Sequence, residues 1–456
     1  MVSDEAHAAV VAEKQHLSEQ LTAALERIAE LEAQVAALTA KKTPTPGFVK
    51  ANRPTRPAKE RRKRAAEANH ARRRETPTRT VEHAIRHCPD CGGALGGVQV
   101  GRVRQVIELP PPPPVEITEH QVQRGWCSQC QAWREARLDL SGQVLGRKGR
   151  FGVGVAALVA HLRTVLRLPV RAIQTYLADV QGLRVSVGEL VALLHRVAEQ
   201  GADAVAAIRE RVRGRRVVHG DETGWRASGQ NGYVWVLASP EGERYFEYQR
   251  SRSGAVANAL LGEEFRGVLV SDFYAGYNDT PGGQHQRCWV HLRRDLHHLQ
   301  EAAVTDVSRA GVEVRAWVGA AQTLGDQVRA ASTSPPTDPA VRAATAQALL
   351  LDLRSLGEQF AEQTTHPCHT LARRLWRFQG ELLTCVQQPD VPADNNLAER
   401  AIRPLVVGRK ISGGTRSPRG SATRMALATL AHTWVASGLA PLAEFRRLLQ
   451  DPLPQV

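Results

Sequence analysis

The run RRVVHGDETGW (215–225), YVWVLASP (233–240), RYFEYQR (244–250), GAVANALLG (254–262) and GVLVSDFYAGYN (267–278) decides the architecture. Four of these five pieces are short, rich in Val, Tyr, Phe and Trp, and bounded by turn residues, which is the pattern of strands. The Pro-Glu-Gly-Glu junction at 240–243 joins two of them tightly, as antiparallel neighbours require. GAVANALLG has no internal breaker and predicts a helix. Two of the apolar runs end in an aspartate, so Asp221 and Asp272 are both expected at strand tips. Glu222 is expected on the opposite side of its strand from Asp221. QHQRCWVHLRRDLHHL (284–299) then reads as a strand running into a helix.

Three antiparallel strands, a helix and a fourth strand with an acid at its end is the order of a ribonuclease H-like fold. A third acid comes from NNLAERAIRPLVVGRKISGGTRSPRGSATR (395–424), where Glu399 is surrounded by Arg400, Arg403, Arg409, Lys410, Arg416, Arg419 and Arg424. NNLAERAI predicts a helix with Asn395/Asn396, Glu399 and Arg403 on one face, ended or kinked by Pro404. The Gly- and Ser-rich basic remainder suits a loop whose backbone approaches a polyanion. A surface helix with a Glu399–Arg403 pair would explain the segment alone; the two aspartates upstream add the functional reading.

At 456 residues the chain has room for two to four domains. Between Lys41 and Arg79 stand fourteen Lys/Arg and three acids, most of the formal net charge of +14. That Pro-punctuated run, with Arg61, Arg62, Lys63 and Arg64 at its centre, is read as a flexible linker that neutralises phosphates without reading bases. No apolar stretch reaches membrane-span length and the N-terminus is no signal peptide, so the cytoplasm, at the nucleoid, is the expected location. Leu21, Ile28 and Val35 alternate with Leu17, Ala24, Leu31 and Leu38 in heptads, predicting a self-associating coiled coil.

Cys88-Pro-Asp-Cys91 and Cys127-Ser-Gln-Cys130 are two thiolate knuckles, together the four soft ligands of a closed structural zinc site. The alternating stretches VGRVRQVIEL (100–109) and VEITEHQVQRGW (115–126) are expected as strands of a zinc ribbon. Residues 168–197 predict two helices and a turn, with Ser186 and Glu189 at capping-box spacing, a packing unit or a helix-turn-helix DNA reader.

The expected class is thus multidomain α+β. It comprises a coiled coil (1–40), basic linker (41–80), zinc ribbon (81–140), helical domain (150–213), ribonuclease H-like core (214–300 and 391–425), all-helical insertion (301–390) and closing helices (426–456). Phosphoryl transfer on nucleic acid needs divalent metal held by hard oxygen ligands, and Asp221, Asp272 and Glu399 supply them for Mg²⁺ or Mn²⁺.

HGDETGWR, LVSDFYAGYN, QRCWVHLRRDL and NNLAERAIRPLVVGRKISGG resemble the signature blocks of the insertion sequence 66 family of bacterial DDE transposases, and the HCPDCGG…WCSQC ribbon is similar to that family's amino-terminal part. The resemblance implies that Asp221, Asp272 and Glu399 are the catalytic triad, that double-stranded element ends and target DNA are the substrates, and that accessory proteins of the same element assist. Arg400, Arg403, Arg409, Lys410 and Arg416 would hold phosphates. Cys288 and His291 match a Cys-x-x-His element of such families and are read as accessory or structural. The rival readings are a transposase-derived DNA-binding protein without catalysis and a nuclease that hydrolyses but never joins.

Overall fold

A computed structural model describes residues 15–16, 19–32, 74–146, 149–280 and 283–450. Arg61, Arg62, Lys63 and Arg64 and most of the heptad segment lie outside the described residues. Residues 19–32 are helical (α1), with Leu21, Ile28 and Leu31 exposed. Among the described residues no helix is long and apolar enough to cross a membrane.

The chain divides into two compact units, Met1–Leu109 and Pro110–Val456. In the first, Cys88 N donates to Gly93 O (2.8 Å) and Gly92 N to Cys88 O (2.9 Å), closing a knuckle in which Gly92 takes a left-handed φ of 74°. In the second, β1 (Arg124–Cys127) and β2 (Ala132–Glu135) form an antiparallel hairpin, with the Trp126 and Trp133 rings 6.0 Å apart edge to face. The strands expected at 100–109 and 115–126 are absent apart from the last residues of the second, which enter β1. An alternating pattern makes a strand only where a partner accepts its hydrogen bonds and a core takes its apolar face. Here Val106, Ile107 and Ile117 are exposed.

Four helices follow: α2 (Val153–Thr164), α3 (Val170–Gln181), α4 (Val187–Gln200) and α5 (Ala202–Arg213). Ser186 and Glu189 form the expected capping box of α4, and Gly182 ends α3 in the left-handed region. Their apolar faces, including Ile173, Leu190 and Val197, share a core with Leu430 of α13 (Pro418–Ala436) and Phe445 of α14 (Pro441–Gln450).

The sheet comprises β3 (Val217–Ala227), β4 (Gln230–Ala238), β5 (Arg244–Gln249), β6 (Val268–Ser271) and β7 (Gln284–Arg287), in the order β5-β4-β3-β6-β7. The first three strands are antiparallel in sequence; β6 and β7 run parallel to β3 after the crossover helix α6 (Gly254–Leu261). One face, with Val218, Trp235 and Leu269, covers the helical core. The other, with Trp225, Val234 and Val236, receives Ala398, Ile402 and Leu405 of α12 (Asn396–Ser412). Val217, Val268 and Val270 belong to a third core with α7 (Trp289–Ala303), α8 (Arg309–Thr333), α9 (Pro339–Phe360), α10 (His369–Arg377) and α11 (Thr384–Gln387).

Three further sequence expectations change. Asp221 is not at a strand tip: antiparallel pairing with β4 carries β3 on to Ala227. Pro404 does not end its helix, and α12 continues to Ser412; the apolar face that Ala398, Ile402 and Leu405 press onto the sheet offsets the missing N–H and ring clash, which cost about 3 kcal/mol. The loop foreseen after Pro404 shrinks to residues 413–417. Its close backbone approach is to the protein itself, since Thr415 N donates to Arg226 O (2.9 Å) and Ser228 N to Thr415 O (2.9 Å).

Candidate active site

The parallel register places the acids. Val217, Val218 and His219 pair with Val268, Leu269 and Val270, and both Asp221 and Asp272 lie two residues beyond the last pair. Where β6 ends, β3 continues alone on that side, so the two carboxylates emerge side by side. Asp221 Oδ1 accepts from Glu222 N (2.8 Å) and Asp272 Oδ1 from Tyr274 N (2.8 Å).

Glu399 comes from the first turn of α12, and its position follows from how that helix is tied down. Asn395, 1% exposed, donates through Nδ2 to Gly220 O (2.8 Å) and meets His219 Nδ1 with Oδ1 (3.1 Å). Asn395 N donates to Cys288 Sγ (3.2 Å), and Trp289 N donates to Ala393 O (2.9 Å). The start of α12 is thereby stitched to β3 one residue before Asp221 and to the start of α7. Cys288 is buried, and desolvation raises its thiol pKa, so it packs and accepts a hydrogen bond as a neutral thiol. Its partner in the motif, His291, places Nε2 3.5 Å from Glu399 Oε1.

The electrostatics register the convergence. Burial, then Glu222, Asp272 and Glu399, push the Asp221 carboxyl up to about 7. Glu399 Oε1 and His291 Nδ1 are buried without a hydrogen-bond partner. Neighbouring carboxylates with one oxygen free of hydrogen bonds suit a divalent cation, whose charge would relieve their repulsion and whose coordination would use that oxygen. Among the described residues no three His, Cys, Asp or Glu stand as a ready-made group that could hold a metal ion. Mg²⁺ does not need one, since it keeps several waters and takes substrate phosphate oxygens.

β3 continues through Glu222, so its side chain leaves the opposite face of the strand from Asp221, yet its charge is the first after burial to raise the Asp221 pKa. Arg252 donates to its Oε1 (2.6 Å) and Tyr277 Oη to its Oε2 (2.5 Å), while the Arg252 guanidinium lies 3.8 Å from the Tyr274 ring centre. Arg400, Arg403, Lys410 and Arg416 are exposed, and Arg409 Nη1 donates to Thr223 Oγ1 (3.2 Å) across β3. Two of the seven cations around Glu399 in sequence are engaged elsewhere. Arg419 pairs with Glu199 (2.6 Å), and Arg424 is buried, donating to Arg163 O (2.8 Å). Burial, Arg163 and Arg167 push the Arg424 guanidinium down to about 9.

In each cysteine knuckle the first thiol is prepared for deprotonation. The Asp90 and Cys91 backbone N–H groups and the Cys91 side chain lower the Cys88 pKa; the Cys130 backbone and side chain, with Gln129 N–H, lower that of Cys127.

The model of the IS66 transposase family matches residues 148–423, well over half of the chain. The chain belongs to the IS66 family of transposases. A second model, the zinc-finger binding domain of IS66 transposases, matches residues 86–131, which contain both cysteine pairs. Two proteins of Sinorhizobium fredii (strain NBRC 101917 / NGR234) are similar: the uncharacterized protein y4jO, 30% identical over 183 residues (40% of this chain, 51% of that protein), and the uncharacterized protein y4qI, 28% identical over 267 residues (52% and 47%). The chain thus spans about half the length of the curated relatives it matches. In this IS66-family chain, sequence reasoning singled out Asp221, Asp272 and Glu399 as candidates but not the fastening of α12 by Asn395 and His219. Their adjacency in space leaves no mark in a local pattern; the only sequence signal was that both sit inside the family-like blocks HGDETGWR and NNLAER.

Proposed function

We propose that this chain is a DNA transposase that binds the ends of an insertion sequence, cleaves a strand there and joins the freed 3′-hydroxyl to target DNA. The observation that carries the reading is the approach of Asp221, Asp272 and Glu399, from β3, the end of β6 and α12, with Glu399 Oε1 buried, without a hydrogen bond and 3.5 Å from His291 Nε2. The strand order β5-β4-β3-β6-β7, antiparallel then parallel, supports reading the core as ribonuclease H-like.

Asp221, Asp272 and Glu399 would hold Mg²⁺ or Mn²⁺. Bound there, the metal would supply activation of the attacking hydroxyl and charge neutralisation at the leaving oxygen. In the first step water attacks the scissile phosphorus and the 3′-oxygen leaves as a hydroxyl; in the second that hydroxyl attacks a target phosphodiester and displaces the target's own 3′-oxygen as a hydroxyl, with no covalent protein intermediate. Arg400, Arg403, Lys410 and Arg416 are placed on and after α12 to hold flanking phosphates, with Arg409 bracing the helix against Thr223. Asn395 orients Glu399 by fixing the helix start.

Cys88, Cys91, Cys127 and Cys130 are proposed to hold a structural zinc, on the strength of the zinc-finger match and the lowered pKa of each first thiol. The basic linker with Arg61, Arg62, Lys63 and Arg64 adds sequence-independent affinity for DNA. The heptads assemble a homo-oligomer, accessory proteins of the element assist, and the substrate places the work at the cytoplasmic nucleoid.

The test is cleavage and joining of duplexes taken from the DNA flanking the gene, with Mg²⁺ or Mn²⁺, by wild type and Asp272→Ala. Loss of both reactions in the variant with end binding retained supports the reading. Tight end binding by wild type without metal-dependent chemistry, with the element's accessory proteins added, overturns it.

A further inference from the structure

We infer that the helical stretch between Asp272 and Glu399 positions Asp272 for metal through the ion pair of buried Arg287 with half-buried Glu381; this rests on the reading of Asp272 as a metal-holding carboxylate. Arg287, the last residue of β7, is 0% exposed and 2.6 Å from Glu381 Oε2, beyond α10. Its Nη1 donates to Asp272 O (3.0 Å) and Ser271 Oγ (3.3 Å), and its Nη2 to Asn278 Oδ1 (3.1 Å). Arg287 N donates to Glu381 O (2.8 Å), and the Phe378 ring lies 4.7 Å from the guanidinium. One rigid fork therefore ties the end of β6, the turn at 278 and the helical stretch together.

A buried guanidinium demands a counter-charge, and removing it leaves an uncompensated cation that rearranges toward another carboxylate. Besides Glu381, the acidic residue that Arg287 touches is Asp272, through its backbone carbonyl. Without Glu381 the guanidinium turns to the Asp272 carboxylate and competes with metal there. Glu381 thus keeps Arg287 on the Asp272 carbonyl and leaves the carboxylate free. The rest of the seam, Thr384 Oγ1 to His285 O (2.6 Å) and Gln286 Oε1 accepting from Cys385 N (2.7 Å), holds β7 whether or not Glu381 is charged.

The experiment titrates the full chain with Mn²⁺ alone, followed by electron paramagnetic resonance, and measures end cleavage against metal concentration and the melting temperature. The proteins are wild type, Glu381→Gln, the double variant Arg287→Met/Glu381→Leu, and Arg309→Gln, an exposed pair on α8 away from the seam, as control. The expected result is Mn²⁺ binding weaker by roughly 10-fold or more in Glu381→Gln, with a matching rise in the metal needed for cleavage, unchanged end binding and a wild-type control. The double variant, which has no stray cation but no brace on the Asp272 carbonyl, regains part of the Mn²⁺ affinity. Glu381→Gln that melts lower yet binds Mn²⁺ and cleaves as wild type does overturns the inference, because the pair is then structural only; so does a double variant no better than Glu381→Gln. A wild-type chain that neither binds Mn²⁺ at the three acids nor cleaves overturns the transposase reading itself, and this inference with it.

Discussion

At Asn395 a single buried amide joins the helix that carries Glu399 to the strand that carries Asp221. Replacing it with Ala strands Gly220 O and His219 Nδ1 in a dry interior, where each lost partner costs about 1–3 kcal/mol. Asn395→Ala is expected to lower stability by roughly 2–4 kcal/mol in urea melts and to depress end cleavage far more than end binding. Equal losses in both would show that the amide holds the fold and not the acid. Elsewhere, Glu243 closes the β4–β5 turn. Burial raises its pKa, but Arg215, Ser239 and its own backbone outweigh that and take it down to about 2 from an ordinary 4.5. A depressed acid contributes stability that is complete above 4.5 and is lost as pH falls toward 2. Glu243→Gln should therefore cost roughly 3 kcal/mol at pH 7 and almost nothing near pH 2. A pH-independent difference between the two proteins in denaturant melts would contradict the assignment.

At the scale of elements, the link 413–417 matters more than its length implies. A Cβ on Gly414 would collide with the Arg226 carbonyl, so Gly414→Ala should peel Thr415 from the end of β3. Calorimetry should show a loss of about 2–4 kcal/mol; an unchanged melting temperature would mean that the bridge carries no stability. This link also marks how far sequence reading went. The five strands, the crossover helix and the helical stretch after α7 were legible because apolar runs, breakers and turn residues are local. The extension of β3 past Asp221 was not, because it depends on pairing with β4. Nor was the passage of α12 through Pro404, which depends on burial against the sheet. Arg424, counted among the cations around Glu399, is buried against α2, since charge alone does not reveal which face of a helix is covered. The acids themselves were legible as motif residues; their meeting was not, because it arises from a parallel register and a helix returning from more than a hundred residues later.

At the scale of the whole molecule, the chain combines a basic run, paired cysteines and an acidic cleft. Each phosphate neutralised by the run should steepen the salt dependence of DNA binding by about 0.9 in the log–log slope. Changing Arg61, Arg62, Lys63 and Arg64 to Gln together should flatten that slope by up to roughly 3 to 4 without altering discrimination between end and unrelated duplexes. A change in discrimination would instead give the run a part in reading sequence. The central claim concerns the cleft: Asp221, Asp272 and Glu399 hold divalent metal against the scissile phosphate. The most direct measurement is cleavage of an end duplex in which a non-bridging oxygen of that phosphate is replaced by sulfur, each stereoisomer tested in Mg²⁺ and in Mn²⁺. The account predicts that one isomer is cut slowly in Mg²⁺ and recovers in the more thiophilic Mn²⁺, with no cutting by Asp272→Ala in either metal. Cleavage that is indifferent to sulfur and metal, or that persists in chelator, would contradict it.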